Sequence, residues 1–293
     1  MPGRPSIELR LANIQVFRRG EQRAPHKPLY LLLLISNLQK GLPRLASFPE
    51  ISEKLSAALK RYAPYSKSIH PEYPFWRLQN DNLATVVASM SLKSRKSNTD
   101  PTRKSLIASN AQGGLNEDDF CALSCDPDRQ SSIIHKILDY NFPPSLHEDI
   151  LTFFNLRLQG PHLKDHQTNS EFVTNVTRSY KSKCAVSGLA GTYLAAPAFV
   201  TAAHICWPQV GGNDSVENGI SLTLLHQKLF HLGAFTIDSD YRLCVSPSLL
   251  LNRIEALKLG LINGERISLP ESSCDFPDLT ALAWHKKWVY KAA

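Results

Sequence analysis

No apolar stretch in this chain is long enough to cross a bilayer. The longest runs from Leu29 to Ile35, far short of the roughly 20 residues that a membrane-spanning helix needs. The opening MPGRPSIELRLANIQ lacks the apolar core of a signal peptide. Cysteines at 121, 125, 184, 206, 244 and 274 form no C-x-x-C pair, which excludes a four-cysteine zinc ribbon and a compact disulfide framework. Reduced thiols fit a reducing compartment. Internal repeats and low-complexity segments are missing too. These absences predict a soluble, cytoplasmic protein with no membrane partner.

The 293 residues are 43% hydrophobic and 20% charged, enough for two domains with cores of their own. The formal net charge of +7 is unevenly placed. Residues 1–170 hold 22 Lys and Arg against 16 Asp and Glu, whereas residues 171–293 hold 11 against 10. A positive excess confined to one half points to grip on a polyanion there.

The spacing of Ile7, Leu9, Leu11, Ile14 and Phe17 predicts a helix over residues 5–18. A second helix has Pro28 in its first turn, runs through LYLLLLISNLQ and stops at Gly41; its uniform apolarity predicts burial on most sides. Residues 50–62 read as a third. Phe75–Leu78 and Ala84–Ala88 read as short strands about a turn at Asn80–Asn82. Residues 128–140 and 145–158 read as helices, the latter with Ser145 as N-cap. The expected fold class is α+β: a mainly helical domain with a small sheet over residues 1–158, a polar linker QGPHLKDHQTNS at 159–170, and a second domain over 171–293.

That second domain opens with a helix around 171–180 and then carries the chemistry. Val186 and AFVTAAH suggest two strands, His204 closing the second; the loop PQVGGNDSVEN ends at Asn218, and ISLTLLHQKLFHLG reads as a helix ending at Gly233. A strand-end histidine and a helix histidine can then meet across the hairpin. Phosphodiester hydrolysis needs a base beside a metal ion, and an asparagine amide can fix the base's tautomer. Any one of these residues alone would suit a structural role. Their order is what points to catalysis.

The tract resembles the HNH nucleases of the ββα-metal superfamily, in the subgroup with C-A-V-(S/T)-G, A-A-H-I, G-x-N-D, N-G-x-x-L, H and F-D-x-G. This chain has CAVSG (184–188), AAHI (202–205), GGND (211–214), NGISL (218–222) and HQKLFHLG (226–233), and its PDLTALAWHKKWVY ending is similar as well. The resemblance implies His204 as general base, Asn218 as the residue orienting it, and His226 as a catalytic helix histidine that ligates the metal. Three positions depart from the pattern. Ala203 stands where many HNH nucleases have a ligand, Gln227 where the helix histidine usually lies, and His231 where the Asp of F-D-x-G lies. Either His226 or His231, or both, then ligates the ion. Asp214 is a further carboxylate, or else a turn former. The implied cofactor is a divalent metal ion, Mg²⁺ or Mn²⁺, with Zn²⁺, Co²⁺ and Ni²⁺ left open.

In the first domain, RAPHKPLYLLLL (23–34) sets Arg23, His26 and Lys27 just ahead of the buried helix. HPEYPFWRLQND (70–81) sets Tyr73, Pro74, Phe75 and Trp76 beside Arg77. A helix start with cations suits an anion, and an aromatic–proline ledge can line an apolar pocket. Both motifs resemble the sulfur-binding domain of restriction enzymes that recognise phosphorothioate-modified DNA. That resemblance implies an apolar cavity at Tyr73 and Pro74, with electrostatic contact from His26 and Lys27; Arg23 and Arg77 complete the expected DNA-binding set. Sulfur is larger and less hydrated than oxygen, so such a cavity can tell the two apart.

The expected protein is a modification-dependent restriction endonuclease that acts on double-stranded, phosphorothioated DNA, with a homodimer as one open arrangement. Two alternatives stay open: an HNH endonuclease for unmodified DNA, and a DNA-binding protein with a degenerate nuclease domain.

Overall fold

The structure, a computed structural model, describes residues 5–14, 18–19, 22–23, 25–64, 66–90, 92, 100–159, 170–194 and 196–292. They form two compact units. The first runs to Asn141 and resumes at His147; the second takes Phe142–Leu146 and the chain from the helix at Ser170 onward. Most of the expected linker, residues 160–169, lies outside the described residues, as does Phe17. Among the described residues no helix is long and apolar enough to cross a membrane. Helices with small sheets make the fold α+β.

The first unit contains α1 (Ile7–Ala12), β1 (Arg18–Arg19), β2 (Gln22–Arg23), α2 (His26–Gln39), β3 (Leu45–Ser47), α3 (Phe48–Tyr62), α4 (Glu72–Arg77), β4 (Ala84–Val87), α5 (Arg103–Ala108), β5 (Gln112–Leu115), α6 (Glu117–Ser124), α7 (Pro127–Asn141) and α8 (His147–Phe154). Its centre is α2, whose Leu29–Ile35 run is buried all round and packs on α3, α4 and α7. Each such Leu or Ile contributes about 1.5–3 kcal/mol relative to an exposed position. The helix ends where Gly41 takes a left-handed φ of 68°, the usual residue for that turn. The sheet is antiparallel in the order β3-β5-β4. A capping box between Ser47 and Glu50, with Pro49 in the first turn, starts α3 at Phe48, two residues earlier than apolar periodicity alone gives.

The expected strand Phe75–Leu78 is helical instead: α4 spans Glu72–Arg77 and Leu78 opens a 3₁₀ turn. Aromatic content favours a strand, but Pro71 and Pro74 fix φ near helical values, and Pro74 falls in the first turn, where no N–H donor is needed. Phe75 then drops into the core against Tyr30 and Phe48. Two smaller corrections concern helix limits: α1 ends at Ala12, and Ser145 lies in a 3₁₀ turn ahead of α8 rather than capping it.

The second unit contains α9 (Ser170–Ser179), β6 (Thr192–Tyr193), β7 (Ala196–Pro197), β8 (Thr201–His204), β9 (Gly219–Leu222), α10 (Leu224–His231), β10 (Phe235–Ile237), β11 (Leu243–Val245), α11 (Arg253–Leu259) and α12 (Leu279–Trp288). The hairpin that carries His204 differs from the sequence reading. Val186 lies in a turn, and GISL is not helix but strand β9, paired antiparallel with β8 so that His204 faces Gly219. All four β9 residues are buried, so the run shows no strand alternation, which left helix and strand indistinguishable by pattern. Helix α10 starts only at Leu224, where the Thr223 hydroxyl caps it. Phe172, Val176, Ile220, Leu222, Phe230 and Phe235 form the core beneath.

Candidate functional site

Four histidines of the second unit separate by what their ring nitrogens face. His226 is buried; its Nε2 lies 2.8 Å from the Leu259 carbonyl, while its Nδ1 meets the Thr223 hydroxyl at 2.8 Å and Cys184 Sγ at 3.4 Å. His231 is buried, with Nε2 3.3 Å from the His204 carbonyl and Nδ1 2.6 Å from the Ser145 hydroxyl. His285 places Nε2 3.0 Å from the Phe230 carbonyl and Nδ1 2.8 Å from the Thr236 hydroxyl, its ring flat on Phe230. A carbonyl only accepts, so in all three Nε2 carries a proton; in His231 and His285 Nδ1 then accepts from a hydroxyl. Burial holds His231 down to about 4 and His285 to about 3. All three rings have both nitrogens engaged, and burial keeps His231 and His285 neutral near pH 7.

His204 is different. Its Nε2 lies 2.7 Å from Asp214 Oδ1, and Nδ1 has no hydrogen-bond partner among the described residues. The His204 side chain is 13% exposed and that of Asp214 47%. A carboxylate only accepts, so Asp214 fixes the proton on Nε2 and leaves the Nδ1 lone pair basic. Burial lowers the His204 pKa, and the Asp214 bond and charge oppose that shift. The imidazole also lies flat against Phe172, with ring centroids 3.9 Å apart at 10°.

Asn218 is buried and does not touch the His204 ring. Its Oδ1 accepts from Cys206 N–H at 2.9 Å, and its Nδ2 donates to the carbonyls of Cys206 at 3.0 Å and Asn213 at 2.8 Å. The side chain therefore staples both ends of the loop that carries Asp214. Gly212 belongs to the same closure, because a Cβ there would lie 1.9 Å from the Cys206 carbonyl oxygen.

His226 and His231, the expected metal ligands on α10, have both ring nitrogens engaged by these contacts. Ligation would require His226 or His231 to give up a bond from a buried position. Gln227 is engaged as well, donating to the Ala202 carbonyl at 2.8 Å. Among the described residues no group of three or more His, Cys, Asp or Glu could hold a metal. What the site offers is the half-exposed Asp214 carboxylate beside His204. That donor set suits a hydrated hard cation, which takes one or two carboxylates and keeps its waters. It falls short of the three or four protein ligands of a zinc site.

In the first unit, helix α4 puts Tyr73 and Arg77 one turn apart. The Arg77 guanidinium lies over the Tyr73 ring at 4.7 Å, and His70 stacks on the same ring at 4.9 Å. Arg77 is also ion-paired to Asp100 at 2.5 Å, and His70 Nδ1 lies 3.0 Å from Glu72. Pro74 is buried. His26 sits at the start of α2; burial, then the charges of His70 and Arg77, lower it to about 4, so it is neutral near pH 7. Lys27 is not a bare cation. Its Nζ pairs with Asp81 at 2.6 Å, with side chains only 13% and 4% exposed. Arg23 lies in β2, and its side chain is outside the described residues. Sequence reasoning quoted His70 within its motif without assigning it a role and missed Asp100 and Phe172 altogether; none of the three has a distinctive local pattern.

Comparison with known proteins places these features. Residues 184–238, which contain His204, Asp214 and Asn218, match the family model of HNH endonucleases, so the second unit carries an HNH nuclease domain. Residues 5–159, more than half of the chain, match the ScoMcrA-like DNA sulfur-binding domain, and the chain belongs to that family. No curated protein matches the chain. Among solved structures, the sulfur-binding domain of ScoMcrA complexed with phosphorothioated DNA is similar at 25% identity, over 50% of this chain and 96% of that one, with a TM-score of 0.45. The type IV phosphorothioation-dependent restriction endonuclease ScoMcrA is similar at 25% identity and TM-score 0.44, over 52% of this chain but only 33% of its own length. The modification-dependent TagI restriction endonuclease is similar at 22% identity and TM-score 0.31, covering 40% and 36% of the two chains.

Proposed function

We propose that this chain is a cytoplasmic, modification-dependent restriction endonuclease: residues 1–158 read phosphorothioated double-stranded DNA, and residues 171–293 hydrolyse its phosphodiester bonds. The observation that carries the proposal is the joining, in one polypeptide, of a DNA sulfur-binding domain to an HNH tract with an accessible His204–Asp214 pair. In this reading His204 Nδ1 takes the proton from the attacking water, and Asp214 orients the ring and steadies the imidazolium that forms. Asn218 acts at one remove, holding the loop on which Asp214 sits. Asp214 would also hold a divalent ion, Mg²⁺ or Mn²⁺ rather than Zn²⁺, Co²⁺ or Ni²⁺. Such an ion, when bound, stabilises the developing charge on the leaving oxygen.

In the first unit we assign sulfur recognition to the edge at Tyr73 and Pro74, with His26, His70 and Arg77 around it. Lys27, Arg77 and His70 each face a carboxylate, so raw positive charge is largely offset there. Discrimination of sulfur from oxygen then rests on shape and desolvation. The test is cleavage of phosphorothioated against unmodified plasmid, with Mg²⁺, with Mn²⁺ and with EDTA. Cleavage of the modified plasmid alone, lost in EDTA, is expected. Equal cleavage of both plasmids would favour an HNH nuclease for ordinary DNA.

A further inference from the structure

The HNH match begins at residue 184, yet the residue in closest ring contact with His204 lies before it, on α9. Phe172 is 1% exposed, and its ring lies parallel to the His204 imidazole at 3.9 Å. A second observation shows that the hairpin is built around this contact. The cross-strand partner of His204 is Gly219. A Cβ on Gly219 would fall 2.3 Å from Val176 Cγ2 and 3.0 and 3.1 Å from two carbons of the Phe172 ring. Only glycine at that position lets α9 approach closely enough for Phe172 to reach the histidine. The Asn–Gly step thus has two separate duties: Asn218 staples the loop, and Gly219 opens the seat for Phe172.

We propose that Phe172 is a positioning residue of the nuclease, holding the His204 ring in the plane where Nε2 meets Asp214 and Nδ1 faces the substrate side. Its partner in this role is Gly219, so the working nuclease includes α9. The inference rests on the reading of His204 as the base. An imidazole tethered only by Asp214, itself half exposed, could rotate about its Cα–Cβ and Cβ–Cγ bonds. The flat aromatic face removes that freedom, and angular error at a base is costly because misplacement by ~1 Å can cost ~10²-fold in rate.

The experiment uses the full chain on a phosphorothioated duplex, measuring the single-turnover cleavage rate at saturating DNA and, separately, Kd. Phe172→Leu keeps an apolar side chain in the core but removes the flat face. It should slow cleavage by about 10–100-fold and leave Kd unchanged, and Phe172→Tyr should restore most of the rate. Because Phe172 is also a core residue, a measurement on the unaltered protein stands beside the variants. The His204 ring protons, identified by their loss in His204→Ala, should resonate upfield of a free imidazole because they lie over an aromatic face. Wild-type cleavage by folded Phe172→Leu, failure of Phe172→Tyr to rescue, or unshifted His204 resonances would each overturn the proposal. If His204→Ala itself still cleaves, the assignment of the base is what fails.

Discussion

The two sites handle charge in opposite ways. Around Tyr73 the cations meet carboxylates within the same unit, Lys27 with Asp81 and Arg77 with Asp100, and His70 Nδ1 lies beside Glu72. Around His204 the buried histidines are engaged at both nitrogens, whereas His204 gives its Nε2 to Asp214 and its Nδ1 has no hydrogen-bond partner among the described residues. A recognition surface that must tell sulfur from oxygen gains little from charge, since both linkages carry it. A hydrolytic site needs a basic lone pair that nothing else holds. The contrast shows where to look for chemistry in a histidine-rich unit: at the ring whose hydrogen bonds are incomplete.

The contrast is most directly broken at His204. His204→Ala should reduce cleavage by about 10²–10⁴-fold with DNA affinity unchanged, measured by single-turnover cleavage and fluorescence anisotropy. His226→Ala should leave divalent-ion affinity, measured by calorimetry, as it was. If His226→Ala abolished ion binding, the division between engaged and available histidines would be wrong.

Acid should separate the two units next. His231 and His285 have folded-state values of about 4 and about 3, below the ~6.5 of an unfolded histidine. Protonation therefore favours the unfolded chain. Their contribution is intact above ~6.5 and is lost as pH falls from there towards 4 and 3, on the order of a few kcal/mol for each. In the first unit His26 is a comparable group, at about 4. Hydrogen exchange of the full chain at pH 7 and 4.5 should show protection falling further in the second unit. Equal losses would contradict the sealed-imidazole description.

Lys27→Ala should destabilise the first unit by about 1.5–3 kcal/mol, because it removes a charged partner of a buried carboxylate, and should leave the salt dependence of DNA binding nearly unchanged. Denaturant titration and anisotropy at two salt concentrations check both parts. The smallest effect is expected at Tyr73. Tyr73→Ala should erase a preference for modified DNA of roughly tenfold, about 1.4 kcal/mol, while unmodified DNA binds as before. A preserved preference would move recognition away from that edge.

The sequence was informative where local signals agree. Helix α2 is legible from its apolar run and Gly41, and His204 from its place at a strand end. It misled where one residue type serves two patterns. Phe75–Leu78 looks like a strand until Pro71 and Pro74 are weighed as helix-start residues, and only the helix brings Arg77 over Tyr73. Strand β9, buried on both faces, gave no alternation to read. The partners of His226 and His231 are a carbonyl at Leu259 and a hydroxyl at Ser145, 33 and 86 positions away, and no motif encodes such pairings. Phe172 was invisible for the same reason.

The Asn218–Gly219 step has a chemical side as well. In a flexible chain, an asparagine followed by glycine is prone to cyclise through its side-chain amide and open to aspartate or isoaspartate, because glycine presents no side chain to obstruct the attacking backbone nitrogen. Here the Asn218 amide makes three hydrogen bonds and Gly219 is fixed in a strand, so the native fold protects the bond from its own chemistry. Unfolding removes that protection. Each excursion to the unfolded state exposes the loop staple to irreversible conversion, and heat inactivation acquires a slow component that refolding cannot recover. For this protein, shelf life and fold stability are thus tied together at the residue that holds the Asp214 loop in shape.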